Sequence, residues 1–474
     1  MELGRPGGFW YAREGMKVYL ETMGCQMNAL DSELVGSLLR SAGMELTDDP
    51  GRADVLLYNT CSVRDHAEEK AHSRLGWACQ RKSADRRLIV GVLGCMAQRL
   101  GEGLLGRHAG LDIVCAPGQL HRLPELIASA AGSRQLALDA SRRQRASDED
   151  VDERLDGGRN PSATHLPGQA YVRIMHGCDK FCSYCVVPTV RGPERSRKPE
   201  PIVDEVRRLV DSGVSAVTLL GQTVNSYRHR DGGRTVGLAD LLAMLDGIAG
   251  LRRVRFVTSY PADFDDAILQ AMRDLPTVCE YLHVPAQSGA DRILKAMNRR
   301  YSRAQYDELI DRARRTVPGI GIAGDFIVGF PGESDQDLEA SADLIRRSRY
   351  KNSYIFKYSP RPGTTAQKRL PDDIPDPVKR QRNRRLLAVQ QAVSTEDNRA
   401  CVGSTVEVLV EGPSPRSARQ PDLAPGRIQL VGRTRTDHIV VFPSAENLAG
   451  RYVNVRIDRS TALTLMGEIV SDAD

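Results

Sequence analysis

No uninterrupted apolar run in the 474-residue chain approaches the roughly 20 residues needed to cross a bilayer, so no membrane span is predicted. The opening stretch, "MELGRPGGFWYAREG", lacks the apolar core of a signal peptide, and the expected location is the cytoplasm. An excess of charge of one sign is nearly lacking as well. Lys plus Arg number 66 against 61 Asp plus Glu, a net +5, too mild an excess to argue for a nucleic-acid partner without local patches. There is no solenoid-type repeat, no convincing Ser-His-Asp set and no metal-water motif, so ordinary acid-base hydrolysis has no visible machinery. What is present is an ordinary globular composition, 41% hydrophobic and 27% charged, in a chain too long for one core. Ten cysteines in a reducing compartment read as thiols, and hence as candidate metal ligands.

Composition shifts divide the chain. "MKVYLETMGC", "ADVLLYNTC" and "LIVGVLGC" are short apolar strands, each closed by a cysteine, and helix-like stretches separate them. That alternation predicts an open α/β domain with a largely parallel sheet, and such sheets gather ligands at their carboxyl edge. "SRRQRASDEDVDERLDGGRNPSATHLPG" is polar and rich in turn formers, as a linker is. From Ala170, six strand-like segments alternate with amphipathic helices up to about Tyr358, which fits a βα barrel, complete or partial. A basic helix follows, and the tail from Cys401 alternates like a small all-β barrel. The expected boundaries are an extension over 1–15, domains over 16–132, 164–396 and 397–474, and a linker over 133–163.

"MHGCDKFCSYCVVPTVRGPERSR" packs Cys178, Cys182 and Cys185 into eight residues. A structural zinc site takes four ligands, usually in paired CxxC knuckles, whereas CxxxCxxC supplies three. Three thiolates suit an iron-sulfur cluster with one open iron; the alternative is zinc completed by a distant His176 or Cys279. On a parallel sheet Cys25, Cys61 and Cys95 would meet at one edge as a second triplet, the alternative being small buried residues. Cys79, Cys115, Cys279 and Cys401 read as core or surface thiols. For nucleic acid, Glu411–Ser460 carries eight arginines, at 416, 419, 427, 433, 435, 451, 456 and 459, against five acidic residues. "KRQRNRR" at 379–385 adds a basic helical face.

CxxxCxxC after the first strand of a βα barrel, with the aromatic Tyr184 just before the third cysteine, resembles the radical S-adenosylmethionine (SAM) superfamily. The resemblance implies a partial barrel whose 4Fe-4S cluster binds the methionine moiety of SAM through its open iron and cleaves it to a 5′-deoxyadenosyl radical. The N-terminal cysteines, this motif and "GRTRTDHIVVF", which is similar to the RNA-binding TRAM domain, together resemble the radical SAM methylthiotransferases. "NTCSVRDHAEEK", "CVVPTVRGPERSR", "LHVPAQSGADRILKAMNRRYS", "DFIVGFPGES" and "YSPRPGTTA" are closest to the MiaB type. Thr189, Val190 and Ala286 depart slightly from that pattern.

The resemblance implies two 4Fe-4S clusters, one on Cys25, Cys61 and Cys95 and one on Cys178, Cys182 and Cys185. It implies SAM contacts among Tyr184, Gln222, Asn225, Gln287, Ser288 and Asp325, although each polar member could instead cap a turn. RNA contacts would come from Arg433, Arg435 and His438. The implied reaction inserts sulfur and methyl at C2 of N6-dimethylallyladenosine at tRNA position 37. It would use two SAM molecules, a sulfur donor and an electron donor such as flavodoxin or ferredoxin, on a monomer. The alternatives are threonylcarbamoyl-adenosine in tRNA, an aspartate of a ribosomal protein, or a structural-zinc RNA-binding protein.

Overall fold

The computed structural model describes residues 15–62, 65–130, 132–139, 153, 155–162, 164, 166–231, 233–415 and 426–472. Most of the N-terminal extension, much of the linker, and Arg416 and Arg419 lie outside them. The chain forms two compact units. One comprises the chain up to Ala163 with His176–Asp179 and Val186–Arg195; the other comprises Thr164–Met175, Lys180–Cys185 and Ser196–Asp474.

The first unit is built on six parallel strands in the order β2-β1-β3-β4-β5-β6. Their ranges are β1 Lys17–Met23, β2 Glu45–Leu46, β3 Val55–Thr60, β4 Ile89–Gly94, β5 Ile113–Cys115 and β6 Gln135–Ala137. Every residue of β3 and β4 is buried, which is why they read as continuous apolar runs rather than as alternating ones. β1, β3 and β4 are neighbours, with Met23 opposite Thr60 and Thr60 opposite Gly94, so the sheet brings their three ends to one edge. The described part of the polar linker is anchored. Arg159 is buried against Glu33 of helix α1, Gln26–Ser41, because a guanidinium taken out of water requires a carboxylate.

The second unit holds six parallel strands in two hydrogen-bonded triples. They are β7 Gln169–Arg173, β8 Ala216–Leu220 and β9 Arg253–Phe256, then β10 Tyr281–His283, β11 Gly321–Val328 and β12 Asn352–Lys357. Hydrogen bonds between Val254 and both Thr277 and Cys279, and between Ser259 and His283, join the triples into a partial barrel. Val172, Val217, Leu219, Val254, Phe256, Leu282, Ile322, Phe326 and Val328 pack outward into the core beneath the helices. Their alternates face the lumen.

Five further strands close into a barrel in the order β13-β14-β15-β17-β16: β13 Thr405–Pro413, β14 Ile428–Arg433, β15 Ile439–Ser444, β16 Tyr452–Ser460 and β17 Thr464–Asp472. This small barrel covers the amino-terminal ends of the partial barrel's strands. Arg253, 1% exposed, donates to Glu407 at 2.5 Å and to the Arg433 carbonyl at 2.8 Å. Arg255 reaches the Thr434 carbonyl, and Lys351 reaches Asp437. Gly321 lies so close to Thr436 that a Cβ there would press on its carbonyl. The β14–β15 turn is thus the floor of the partial barrel.

Candidate active site

Cys25 immediately precedes α1, Cys61 follows β3 and Cys95 opens helix α2, Cys95–Leu100, directly after β4. Two buried amides fix this edge. Asn28 accepts from the Cys25 thiol at 3.2 Å and donates to Asn59 at 3.0 Å, while Asn59 donates to the Asn28 carbonyl and to Ser32 at 2.9 Å. Gly94 takes φ +87° against Asn59 and the Thr60 carbonyl, where a Cβ would collide. A hydrogen bond with Cys61 lowers the Cys25 thiol to about 6, against the opposing effect of burial and with help from Arg191. Burial raises Cys95. Arg191 pairs with buried Asp31 at 2.7 Å and hydrogen-bonds Cys95; burial opposes its charge, but Asp31, Cys95 and Cys25 outweigh that and its pKa rises. Three thiols with a buried cation beside them suit a group of anionic thiolates.

In the CxxxCxxC loop the Cys178 amide donates to the Gly192 carbonyl at 3.2 Å, and Gly177 takes φ +64° where a Cβ would meet the Pro193 carbonyl. Cys182 accepts a hydrogen bond from Arg299 at 3.4 Å. The same guanidinium donates to the Tyr301 hydroxyl at 3.0 Å and the Pro285 carbonyl at 2.9 Å, and stacks over Tyr260 at 4.5 Å. Burial opposes its charge, yet Tyr301, Tyr184 and Cys182 raise its pKa. Tyr184 meets Phe330 edge-on at 6.5 Å, and burial, then Cys182, push its phenol well above 10. Among the described residues no three His, Cys, Asp or Glu side chains converge tightly enough for a single metal ion.

The polar residues at the strand ends differ in their engagements. Asn225 is clamped, with Nδ2 donating to the Tyr260 carbonyl at 2.9 Å and Oδ1 accepting from its amide at 2.7 Å. Ser288 is buried and accepts from Ala290 at 3.2 Å, and Gln222 is half-buried after β8. Gln287 holds a left-handed φ of +69°, its amide donating to the Asp325 carbonyl at 2.7 Å and its carbonyl accepting from Ile327 at 3.0 Å. Asp325 faces the lumen 3.3 Å from His283. The sequence reading missed Thr258, strained at φ +70°, and its neighbour Ser259. Ser259 is 3% exposed and its hydroxyl has no partner among the described residues. A buried hydroxyl without a partner at the carboxyl end of a barrel strand fits a bound polar cofactor such as SAM.

Residues 172–345 match the Radical SAM superfamily, 17–116 the Uncharacterized protein family UPF0004, and 399–470 the TRAM domain. Proteins named tRNA-2-methylthio-N(6)-dimethylallyladenosine synthase match almost end to end. The one from Rhodopirellula baltica is 48% identical over 95% of both chains. That from Moorella thermoacetica is 42% identical over 97% of this chain and 99% of its own. This chain belongs to that synthase family.

A solved structure of the radical S-adenosylmethionine methyltransferase TsrM from Kitasatospora setae, with cobalamin and a 4Fe-4S cluster bound, shares the fold. Its TM-score is 0.51 at 15% identity, over 88% of this chain and 81% of that one. Membership of the radical SAM superfamily brings SAM and a 4Fe-4S cluster.

Within this synthase-family chain the three residues expected to contact RNA have structural partners. Arg433 pairs with Glu411 at 2.9 Å and Asp437 at 3.0 Å, and Arg435 with Glu280 at 2.8 Å and the Val278 carbonyl at 2.7 Å. His438 hydrogen-bonds Thr436 at 2.9 Å, and burial lowers it to about 4, so it is neutral near pH 7. All three help to hold the barrel floor. The basic helix, Asp376–Ala400, is similarly engaged: Lys379 pairs with Asp372, Arg382 with Glu333, and Arg385 with Glu339. Arg427, Arg451, Arg456 and Arg459 are exposed. Arg191 and Arg299 also went unread, although "CVVPTVRG" and "MNRRYS" carry them: an arginine shows its burial only when the fold is known.

Proposed function

We propose that this chain converts N6-dimethylallyladenosine at position 37 of tRNA to its 2-methylthio derivative. The near end-to-end identity with synthases of that name carries the reading. It is supported by two cysteine triplets, one at the edge of the N-terminal sheet and one in the loop after the first strand of the partial barrel. Cys178, Cys182 and Cys185 would hold the cluster that binds SAM, and Cys25, Cys61 and Cys95 a second one. When bound, these groups supply the radical, sulfur and methyl that an unactivated C2–H requires.

The chain's own residues bind, orient and shield. Arg299 donates to the Cys182 sulfur and keeps a fixed cation beside it, because its planar fork is also held by Tyr301 and Pro285. Arg191 does the same for Cys95, with Asp31 balancing its charge. Ser259 would present a polar atom toward SAM, and Tyr184 fills apolar space near Cys182. Among the exposed arginines, Arg427, Arg456 and Arg459 would reach RNA phosphates. A reductant of flavodoxin or ferredoxin type, a sulfur donor, a monomeric enzyme and a cytoplasmic location complete the reading. No helix among the described residues is long and apolar enough to cross a membrane. Mass spectrometry of nucleosides from tRNA of a deletion strain tests it: the 2-methylthio derivative disappears and N6-dimethylallyladenosine accumulates. Loss of a methylthio threonylcarbamoyl-adenosine instead would reassign the substrate.

A further inference from the structure

We propose that Tyr354 and Phe356 form the shelf on which the substrate's adenine base stacks inside the partial barrel, and that they thereby set recognition of the prenylated base. The proposal rests on the tRNA reading above. β12 is the outermost strand of its triple, and it pairs with β11 so that Asp325 lies opposite Tyr354 and Ile327 opposite Phe356. Phe326, Val328 and Ile355 point into the core beneath the helices, so these four alternates point into the lumen. The two rings are nearly parallel, 15° apart with centroids 6.4 Å apart, so both present their π systems in the same orientation.

Their exposure is the unusual feature. Tyr354 is 53% and Phe356 38% exposed, while Tyr281, another lumen-facing aromatic, is 7% exposed. Among the described residues the only other exposed Tyr or Phe is Phe181. Each exposed part of these rings forgoes the gain from burial, and a flat apolar partner laid over it recovers that gain. A base is such a partner, since stacking needs only a π face, and chemistry at a base atom requires the nucleotide to be turned out of its stack.

The surroundings of the shelf match the rest of a prenylated adenosine. Ile327 and Tyr184 both pack against one apolar group that includes Ile293, Met297, Phe330 and Tyr358, and Tyr184 feels the charge of Cys182 and Cys185. An alkyl substituent at Phe356 therefore meets an aliphatic wall on the cysteine side. In the Tyr354 row, Asp325 faces the same side with His283 3.3 Å away, which places polar atoms beside the edge of a base lying there. The shelf thus offers a π face, an apolar flank and a polar flank in adjacent rows of one sheet.

The test uses the iron-loaded enzyme with SAM and compares prenylated with unprenylated anticodon stem-loops. Tyr354→Leu/Phe356→Leu keeps apolar bulk and removes the rings. Its affinity for the prenylated stem-loop should fall about 5- to 150-fold, the equivalent of roughly 1–3 kcal/mol for one stacked base. KM for the tRNA should rise, and the preference for the prenylated stem-loop should shrink. Tyr354→Phe and Phe356→Tyr keep the rings and should bind nearly as the parent does. Far-UV circular dichroism and iron content report folding, and if the double variant fails them the single Tyr354→Leu, at the more exposed position, decides. Leucine variants that match the parent in affinity, KM and preference overturn the shelf. A parent enzyme that forms no methylthio product from prenylated tRNA rejects the tRNA reading, and the shelf with it.

Discussion

One cysteine of each triplet is held by an arginine, Cys95 by Arg191 and Cys182 by Arg299, and the two triplets can be separated by substitution. Replacing Cys25, Cys61 or Cys95 with Ala should lower iron content by about half, as expected for the loss of one of two equal three-thiolate clusters, and stop methylthio product while SAM cleavage persists. Replacing Cys178, Cys182 or Cys185 should abolish SAM cleavage. Release of 5′-deoxyadenosine by the second set would contradict the assignment. Arg299→Lys makes a finer test. Lysine keeps the charge but cannot hold Tyr301, Pro285 and Cys182 with one planar fork. Stability should drop by about 1–3 kcal/mol through the stranded partners. The reduction potential of the barrel cluster should become more negative, because hydrogen bonds to sulfur help set it; a redox titration followed by electron paramagnetic resonance reads this directly.

The strands were the most legible elements. β3 and β4 carry buried apolar runs, and β11 and the small-barrel strands carry apolar positions at a period of two, so the existence of these strands and a common edge for the ends of β1, β3 and β4 followed from pattern. The turn after β14 was less legible. Arg433 and Arg435, beside His438, alternate as a basic strand face does, and their partners Glu411, Glu280 and Asp437 include residues far away in the chain; such ion pairs leave no periodic mark. The floor can be tested through Glu407. Glu407→Gln removes the carboxylate facing Arg253, whose side chain is 2% exposed. Urea unfolding should show a loss at the lower end of the roughly 3–5 kcal/mol typical of broken buried pairs, since Glu407 itself is about a third exposed. His438 gives the floor a pH signature. Burial holds it near 4, against 6.5 in an unfolded chain, so its contribution is complete above about 6.5 and is lost as pH falls toward 4. The loss amounts to about 3 kcal/mol at most. His438→Gln should flatten the fall in melting temperature between pH 6.5 and 4; a difference curve with no slope there would dismiss the assignment.

At the scale of the whole chain, the described arginines of the small barrel fall into a paired set and an exposed set, and salt distinguishes what each does. Arg433 and Arg435 hold the floor through carboxylates, whereas Arg427, Arg456 and Arg459 face water. A phosphate contact releases counterions, so each one adds roughly 0.7 to the slope of log affinity against log salt on single-stranded RNA. Arg456→Ala/Arg459→Ala should therefore lower the slope for tRNA binding by up to about 1.4 while leaving the melting temperature nearly unchanged, because exposed charges contribute little to stability. Arg433→Ala should do the reverse, lowering the melting temperature through unpaired Asp437 and Glu411 while leaving the slope close to that of the parent. Removing the barrel wholesale cannot separate these effects, since it uncovers Arg253, Arg255 and Lys351 together. The paired variants, titrated over one salt series and melted in one buffer, do separate them. A slope lowered by Arg433→Ala at unchanged stability would return the RNA contact to the floor residues, and equal slopes in every variant would move it to the partial barrel.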